Sequence, residues 1–137
     1  MHTTGLFSPD DESEAVETYD SLGPAAQTVV KETAKAMAFD ADEYGERVTG
    51  DVIETARDAL FASLLSVQVG TTEEFEAWRD GFDGEVEVRG SEHVDNVVWH
   101  VAPGGRAVAA TFQSEEQAAV GTLRRQAFGT IYRDILR

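Results

Sequence analysis

Cysteine is absent from the 137 residues, and with it go disulfides, thiolate metal sites, iron–sulfur clusters and thiol nucleophiles. Lysine is scarce. Lys31 and Lys35 are the only two among 11 basic residues, the others being arginine, and they face 26 Asp plus Glu for a formal net charge of −15. Long apolar runs are also missing: the longest stretch without a charge, Ala59 to Thr72, falls short of the roughly 20 apolar residues of a membrane span. The first fourteen residues contain no Lys or Arg and turn acidic at Asp10, unlike the basic start of a secretory signal. A cytoplasmic protein without membrane contact is the expectation.

What is present is ordinary globular material, with 42% apolar and 27% charged residues, rich enough in Val, Leu, Ile and Phe to bury a core. No fixed-period repeat and no Pro/Gly/Ser-rich linker divides the chain, so residues 1–137 are read as a single α+β domain. An excess of acids with few lysines is the balance expected of a halophile. At about 1 M salt the Debye length is about 3 Å, and the self-repulsion of such a charge is largely screened.

Ser8, Pro9, Asp10 and Asp11 predict a helix start and a short helix to about Asp20. A second helix opens at Gly23 and Pro24, with Ala26, Val29, Val30, Thr33 and Met37 on one face and Gln27, Lys31 and Lys35 opposite. A third runs from about Asp51 to Leu65 and is expected to bury Val52, Ile53, Ala56, Leu60 and Leu64. Residues 66–69 fit a strand or a last helical turn equally. Thr71 with Glu74 forms a capping box for a helix that packs Phe75, Trp78 and Phe82.

From Glu85 the period becomes two, and Val97 to Ala102 and Arg106 to Gln113 flank Pro103, Gly104 and Gly105 as a hairpin. With Gly104 and Gly105 as the two central turn residues, Val97 pairs with Phe112, Trp99 with Ala110 and Val101 with Val108. The other face then carries Val98, His100, Ala102, Ala107, Ala109 and Thr111, small and mostly apolar, a surface to be covered by a helix of the same chain, by another subunit or by a ligand. Ser114 and Gln117 suggest a capping box for a long C-terminal helix reaching Leu136. The fold class is therefore α+β: N-terminal helices packed with an antiparallel sheet that contains a C-terminal hairpin, closed by a long C-terminal helix.

The strings Tyr19 to Ala26, Thr55 to Phe61, Trp99–His100, Ala110 to Gln113 and Leu123 to Phe128 resemble an uncharacterised family of small acidic haloarchaeal proteins, a domain of unknown function. The resemblance covers most of the chain and implies a haloarchaeal cytoplasmic origin. It brings no catalytic or binding residues.

Chemical motifs are few. Gly45 to Gly50 has phosphate-loop spacing, but Asp51 and Val52 replace the required Lys and Ser/Thr. Asp40, Asp42, Gly45 and Asp51 match positions of a calcium loop, yet Asp40 with Glu43 as capping box and Phe39 with Tyr44 as hydrophobic staple explain the segment without an ion. His2, His93 and His100 lack chelating spacing, and no nucleophile elbow occurs. Neither a catalytic residue, a metal site nor a cofactor is indicated.

Two features stand out. The hairpin's second face places His100, Thr111 and Gln113 as candidates for ligand or partner binding. The charge is also asymmetric, with 23 acids and 6 bases in residues 1–99 but 3 acids and 5 bases in residues 100–137. Arg124 falls on the core stripe of the last helix, among Val120, Ala127, Phe128, Ile131 and Ile135, where it must meet a carboxylate, backbone carbonyls or a ligand anion. Arg125 adjoins it as a further candidate, while Arg133 and Arg137 face away. The expected function is a non-catalytic interaction or regulatory module with an unknown protein partner or self-association. The alternative is a small-molecule or anion-binding domain, or an enzyme, using His100 and Arg124. Nucleic-acid binding through Arg124, Arg125, Arg133 and Arg137 is the weakest reading, because the overall field repels DNA.

Overall fold

In the computed structural model, which describes residues 1–137, five strands form one mixed sheet: β1 (His2–Thr4), β2 (Val67–Thr71), β3 (Glu85–Arg89), β4 (Asn96–Ala102) and β5 (Arg106–Phe112), in the order β1-β2-β4-β5-β3. The helices are α1 (Glu12–Ser21), α2 (Gly23–Ala36), α3 (Ala41–Arg47), α4 (Gly50–Leu64), α5 (Thr72–Asp80), α6 (Glu116–Ala127) and α7 (Arg133–Leu136), with a π-helical turn (Phe128–Tyr132) joining the last two. The α+β class and the long C-terminal helical segment are as the sequence implies. The sheet differs from the expected antiparallel one because β5 inserts between β3 and β4, which makes the β3–β5 pair parallel.

Both faces of the sheet are covered. Val67, Val69, Val98 and Val108 pack with Tyr19 of α1, Phe61 of α4, Leu123 of α6 and Tyr132 of the π-turn in the main core. On the other face Val97, Trp99 and Ala109 lie against Phe75 of α5, with Trp78 closing the edge. Phe75 and Trp78 have ring centroids 5.2 and 5.6 Å from Trp99. At Gly70 a Cβ would sit tightly against Trp99 at 3.2 Å and Glu74 at 3.3 Å, so the glycine eases the fit of that indole. The capping box of Thr71 and Glu74 starts α5 as expected. The ambiguous residues 66–69 enter β2.

The hairpin register is one residue away from the expected one. Trp99 pairs with Ala109, Val97 with Thr111 and Ala102 with Arg106, so the turn has three residues, Pro103, Gly104 and Gly105, with φ of +80° and +69° at the two glycines. Left-handed backbone at both positions suits glycine. The shift divides the supposed small-residue face: Ala107, Ala109 and Thr111 join Trp99 on the α5 side, while Val98, His100 and Ala102 join Val108 on the helical side. The grouping of those six residues on one face is overturned, and the cover that face called for comes from helices of the same chain, on both sides of the sheet.

Helix ends and stripes bring further corrections. Asp11, not Ser8, caps α1, its carboxylate accepting from the Glu14 N–H at 2.8 Å. Glu115 precedes α6 without a side-chain cap, so Ser114 and Gln117 form no box. Asp40 caps α3 through the Glu43 N–H at 2.9 Å, but Phe39 lies under the Arg47 guanidinium, and Tyr44 is exposed. Along α2 the buried row is Ala26, Val30 and Ala34, while Val29 and Met37 stay exposed. In α4 Phe61 and Ala62 are buried and Val52 is exposed. The cause is common to both helices: α2 packs on α4, outboard of the sheet, so each has one covered row rather than a fully buried stripe.

Candidate functional site

His100 lies within the core, without solvent exposure. Its Nδ1 is 2.6 Å from the Ser66 carbonyl and its Nε2 is 2.6 Å from the Tyr132 hydroxyl. A carbonyl only accepts, so Nδ1 carries the proton and Nε2 accepts from Tyr132. Burial foremost, with the nearby Arg124 cation adding to it, lowers the imidazole from 6.5 to about 4. Burial likewise raises the Tyr132 hydroxyl well above its ordinary range. The imidazole is neutral, saturated and closed to substrate.

Arg124 is half-buried beside this network. Its Nε donates to the Leu65 carbonyl at 3.0 Å, one residue before the carbonyl held by His100. Every ion pair of the chain involves other residues, so of the possible partners it is a backbone carbonyl, not a carboxylate, that Arg124 meets. Burial lowers the pKa of its guanidinium. The guanidinium also lies against Gly5, where φ is +97° and a side chain would collide with the Leu65 carbonyl. Arg124 thereby clasps the N-terminal segment, whose Leu6 N–H donates to Leu64 at 3.0 Å and whose Phe7 carbonyl accepts from Ser66 at 2.7 Å. His100 and Arg124 are neighbours, but His100 is fully enclosed in the core.

Thr111 and Arg125 do share one. A groove of about 500 Å³ between the ends of β3 and β5 and the flank of α6 is lined by Arg89, Thr111, Thr122, Arg125 and Gln126. Arg125 donates to the Thr122 hydroxyl at 3.4 Å, and Arg89 touches Glu87 at 3.2 Å. The Thr111 hydroxyl and the Gln126 amide nitrogen are buried without a hydrogen-bond partner. Gln113 sits elsewhere, as a clasp: its amide accepts from the Asp95 N–H at 3.3 Å and donates to the Asp95 carboxylate at 2.8 Å. Arg89 was no candidate in sequence, because only the parallel β3–β5 pairing carries it to Thr111.

The remaining C-terminal arginines diverge. Arg133 lies over the Phe128 ring, 5.7 Å from its centroid. Arg137, expected to face away, binds Glu54 and also Asp58, the latter at 2.6 Å. Asp58 in turn accepts from the Tyr19 hydroxyl at 2.7 Å, and burial together with that carboxylate raises the Tyr19 hydroxyl to about 12. The four arginines form no continuous basic stripe, and no three His, Asp or Glu side chains gather as a metal site.

A second groove, of about 450 Å³, opens between α2, α3 and α4, and nine of its twelve lining residues are apolar. Val29, Met37 and Val52 are 46%, 60% and 42% exposed there. In sequence these residues read as core; the signal against that reading was the width of the α2 stripe, two rows where one neighbouring helix covers one.

No helix is long and apolar enough to cross a membrane. None of the curated proteins and none of the solved structures compared with the chain matches it. Residues 6–133 match the model of a family of unknown function, DUF5809. That match spans α1 to the start of α7 and takes in the buried His100–Tyr132 pair, the arginine-lined groove and the apolar groove alike; the chain belongs to the DUF5809 family.

Proposed function

We propose that this protein is a non-catalytic interaction module that associates with a second copy of itself through the face formed by α2, α3 and α4. The observation that carries this reading is the apolar groove, with Val29, Met37 and Val52 held in water at its edge. Exposed apolar surface gathered in one place favours contact with another surface. Arg47 is the only charged residue that lines the groove, so covering it with a second apolar surface takes little charge out of water. A two-fold axis through the groove sets the same apolar edge of each copy against that of the other. An enzymatic reading loses its acid–base group, since both nitrogens of His100 are engaged inside the core.

The setting we propose is the salt-rich cytoplasm of a haloarchaeon. There, screening at about 3 Å lets two chains of net charge −15 approach. Sedimentation equilibrium in about 1 M KCl tests the association. A dimer for the natural chain, and monomers for Met37→Glu and Val52→Glu with unchanged circular dichroism, is the expected result. A monomeric natural chain at about 1 mM, or dimeric variants, contradicts it.

A further inference from the structure

We infer that the groove between β3, β5 and α6 binds the phosphoryl group of a small phosphorylated molecule, held by Arg89 and Arg125. The groove is an exception to the chemistry of the rest of the surface. Acids outnumber bases by 26 to 11 in the chain, yet the residues lining this groove include two arginines and no carboxylate. Arg125 makes no ion pair, and its one side-chain hydrogen bond is the long contact to Thr122. Arg89 is held only by Glu87, its exposed neighbour on the same edge strand, a pair of the kind worth little in water.

Two further donors stand in the wall, the Thr122 hydroxyl, whose own proton is not engaged by the bond it accepts from Arg125, and the Gln126 amide, buried without a partner. Buried polar groups are almost always paired, so the orphaned amide marks a place where hydrogen-bonding capacity waits on a ligand. At the strand ends beside the groove β3 and β5 lie close together. Gly90 has φ of +109°, and a side chain there would collide with the Thr111 hydroxyl.

The donor set selects the ligand. Guanidinium groups match the paired oxygens of a phosphoryl group, and hydroxyl and amide donors complete a tetrahedral anion. No aromatic side chain lines the groove, so a nucleic-acid strand finds no stacking platform there. The net charge of −15 also repels a polyanion at a distance. A compact dianion, neutralised by two arginines, suits both facts. The site lies apart from the α2–α4 face, so its fate and that of the self-association proposal are separate.

The test is an amide NMR titration of the full chain with inorganic phosphate and with ribose 5-phosphate, at ionic strength matched with KCl. Both ligands are expected to give saturable shifts confined to residues 89–90, 110–111 and 122–126, ribose 5-phosphate at the lower concentration because it fills more of the groove. Arg125→Gln and Arg89→Gln each weaken binding about tenfold or more, as for a lost charged hydrogen bond. Both substitutions are at exposed positions, and unchanged spectra elsewhere confirm folding. Shifts that spread over the chain, that KCl alone reproduces, or that persist undiminished in Arg125→Gln overturn the assignment.

Discussion

The Tyr132 hydroxyl donates to Nε2 of His100 over 2.6 Å, across a core from which both are fully excluded from water. The bond exists because the helix after α6 widens into a π-turn at Phe128–Tyr132. Such turns insert a residue and rotate the rest of the helix about its axis, so Tyr132 reaches the core where a regular 3.6-residue wheel points elsewhere.

A neutral buried imidazole makes stability depend on pH. In the unfolded chain His100 titrates near 6.5 and in the folded one near 4, so between these values the unfolded chain holds more protons. The contribution is complete above about 6.5 and is lost as pH falls toward 4, amounting to about 3 kcal/mol. Denaturant unfolding from pH 7 to 4 should show a steeper loss for the natural chain than for His100→Gln. Parallel curves would exclude this role for His100.

Tyr132→Phe should cost about 1–3 kcal/mol, because it leaves Nε2 buried with no donor while changing little volume. Thermal or denaturant midpoints measure it. The same variant should raise the ease of protonating His100 only slightly, so its pH slope stays close to that of the natural chain.

The elements themselves were legible in sequence wherever one principle acted alone. Thr71 with Glu74 marks a helix start as a full capping box, and Asp40 marks one as an N-cap that accepts from the Glu43 N–H, without the return bond from the Glu43 side chain. The hairpin at Pro103 to Gly105 was legible as a turn but not as a register, because an apolar pattern decides register only when one face is wet. Here α5 covers one face and α1, α4 and α6 the other. Of the candidate residues, His100 is core and Gln113 a clasp, while Thr111 and Arg125 meet in a groove whose other arginine, Arg89, depends on a parallel pairing that no local signal announces.

Arg124 meets a backbone carbonyl rather than an acid, and so strands no charge when removed. Arg124→Met should cost about 1.5–3 kcal/mol, the value of a charged hydrogen bond, not the about 3–5 kcal/mol of a broken buried ion pair. Arg133→Met, which removes only an exposed stacking contact over Phe128, should cost under about 1 kcal/mol. Equal effects at the two positions would contradict the clasp.

At Gly84 a side chain would collide with the Gly105 carbonyl, the same oxygen that accepts from the Glu85 N–H at 2.8 Å. Gly84→Ala should therefore detach the start of β3 from the hairpin turn. Hydrogen exchange at Glu85 and Glu87 should accelerate while β4 stays protected. Unchanged protection at the edge strand would show that the turn yields instead.

Self-association through α2, α3 and α4 is most directly tested by spin labels. The chain has no cysteine, so Asp42→Cys on α3 carries a single label. Dipolar spectroscopy in molar KCl should give a resolved distance between two labels, which disappears on dilution with unlabelled chain, and Glu87→Cys on the far edge strand should give a longer one. An Asp42 signal with no intermolecular distance, at concentrations where the chain is folded, would contradict the account.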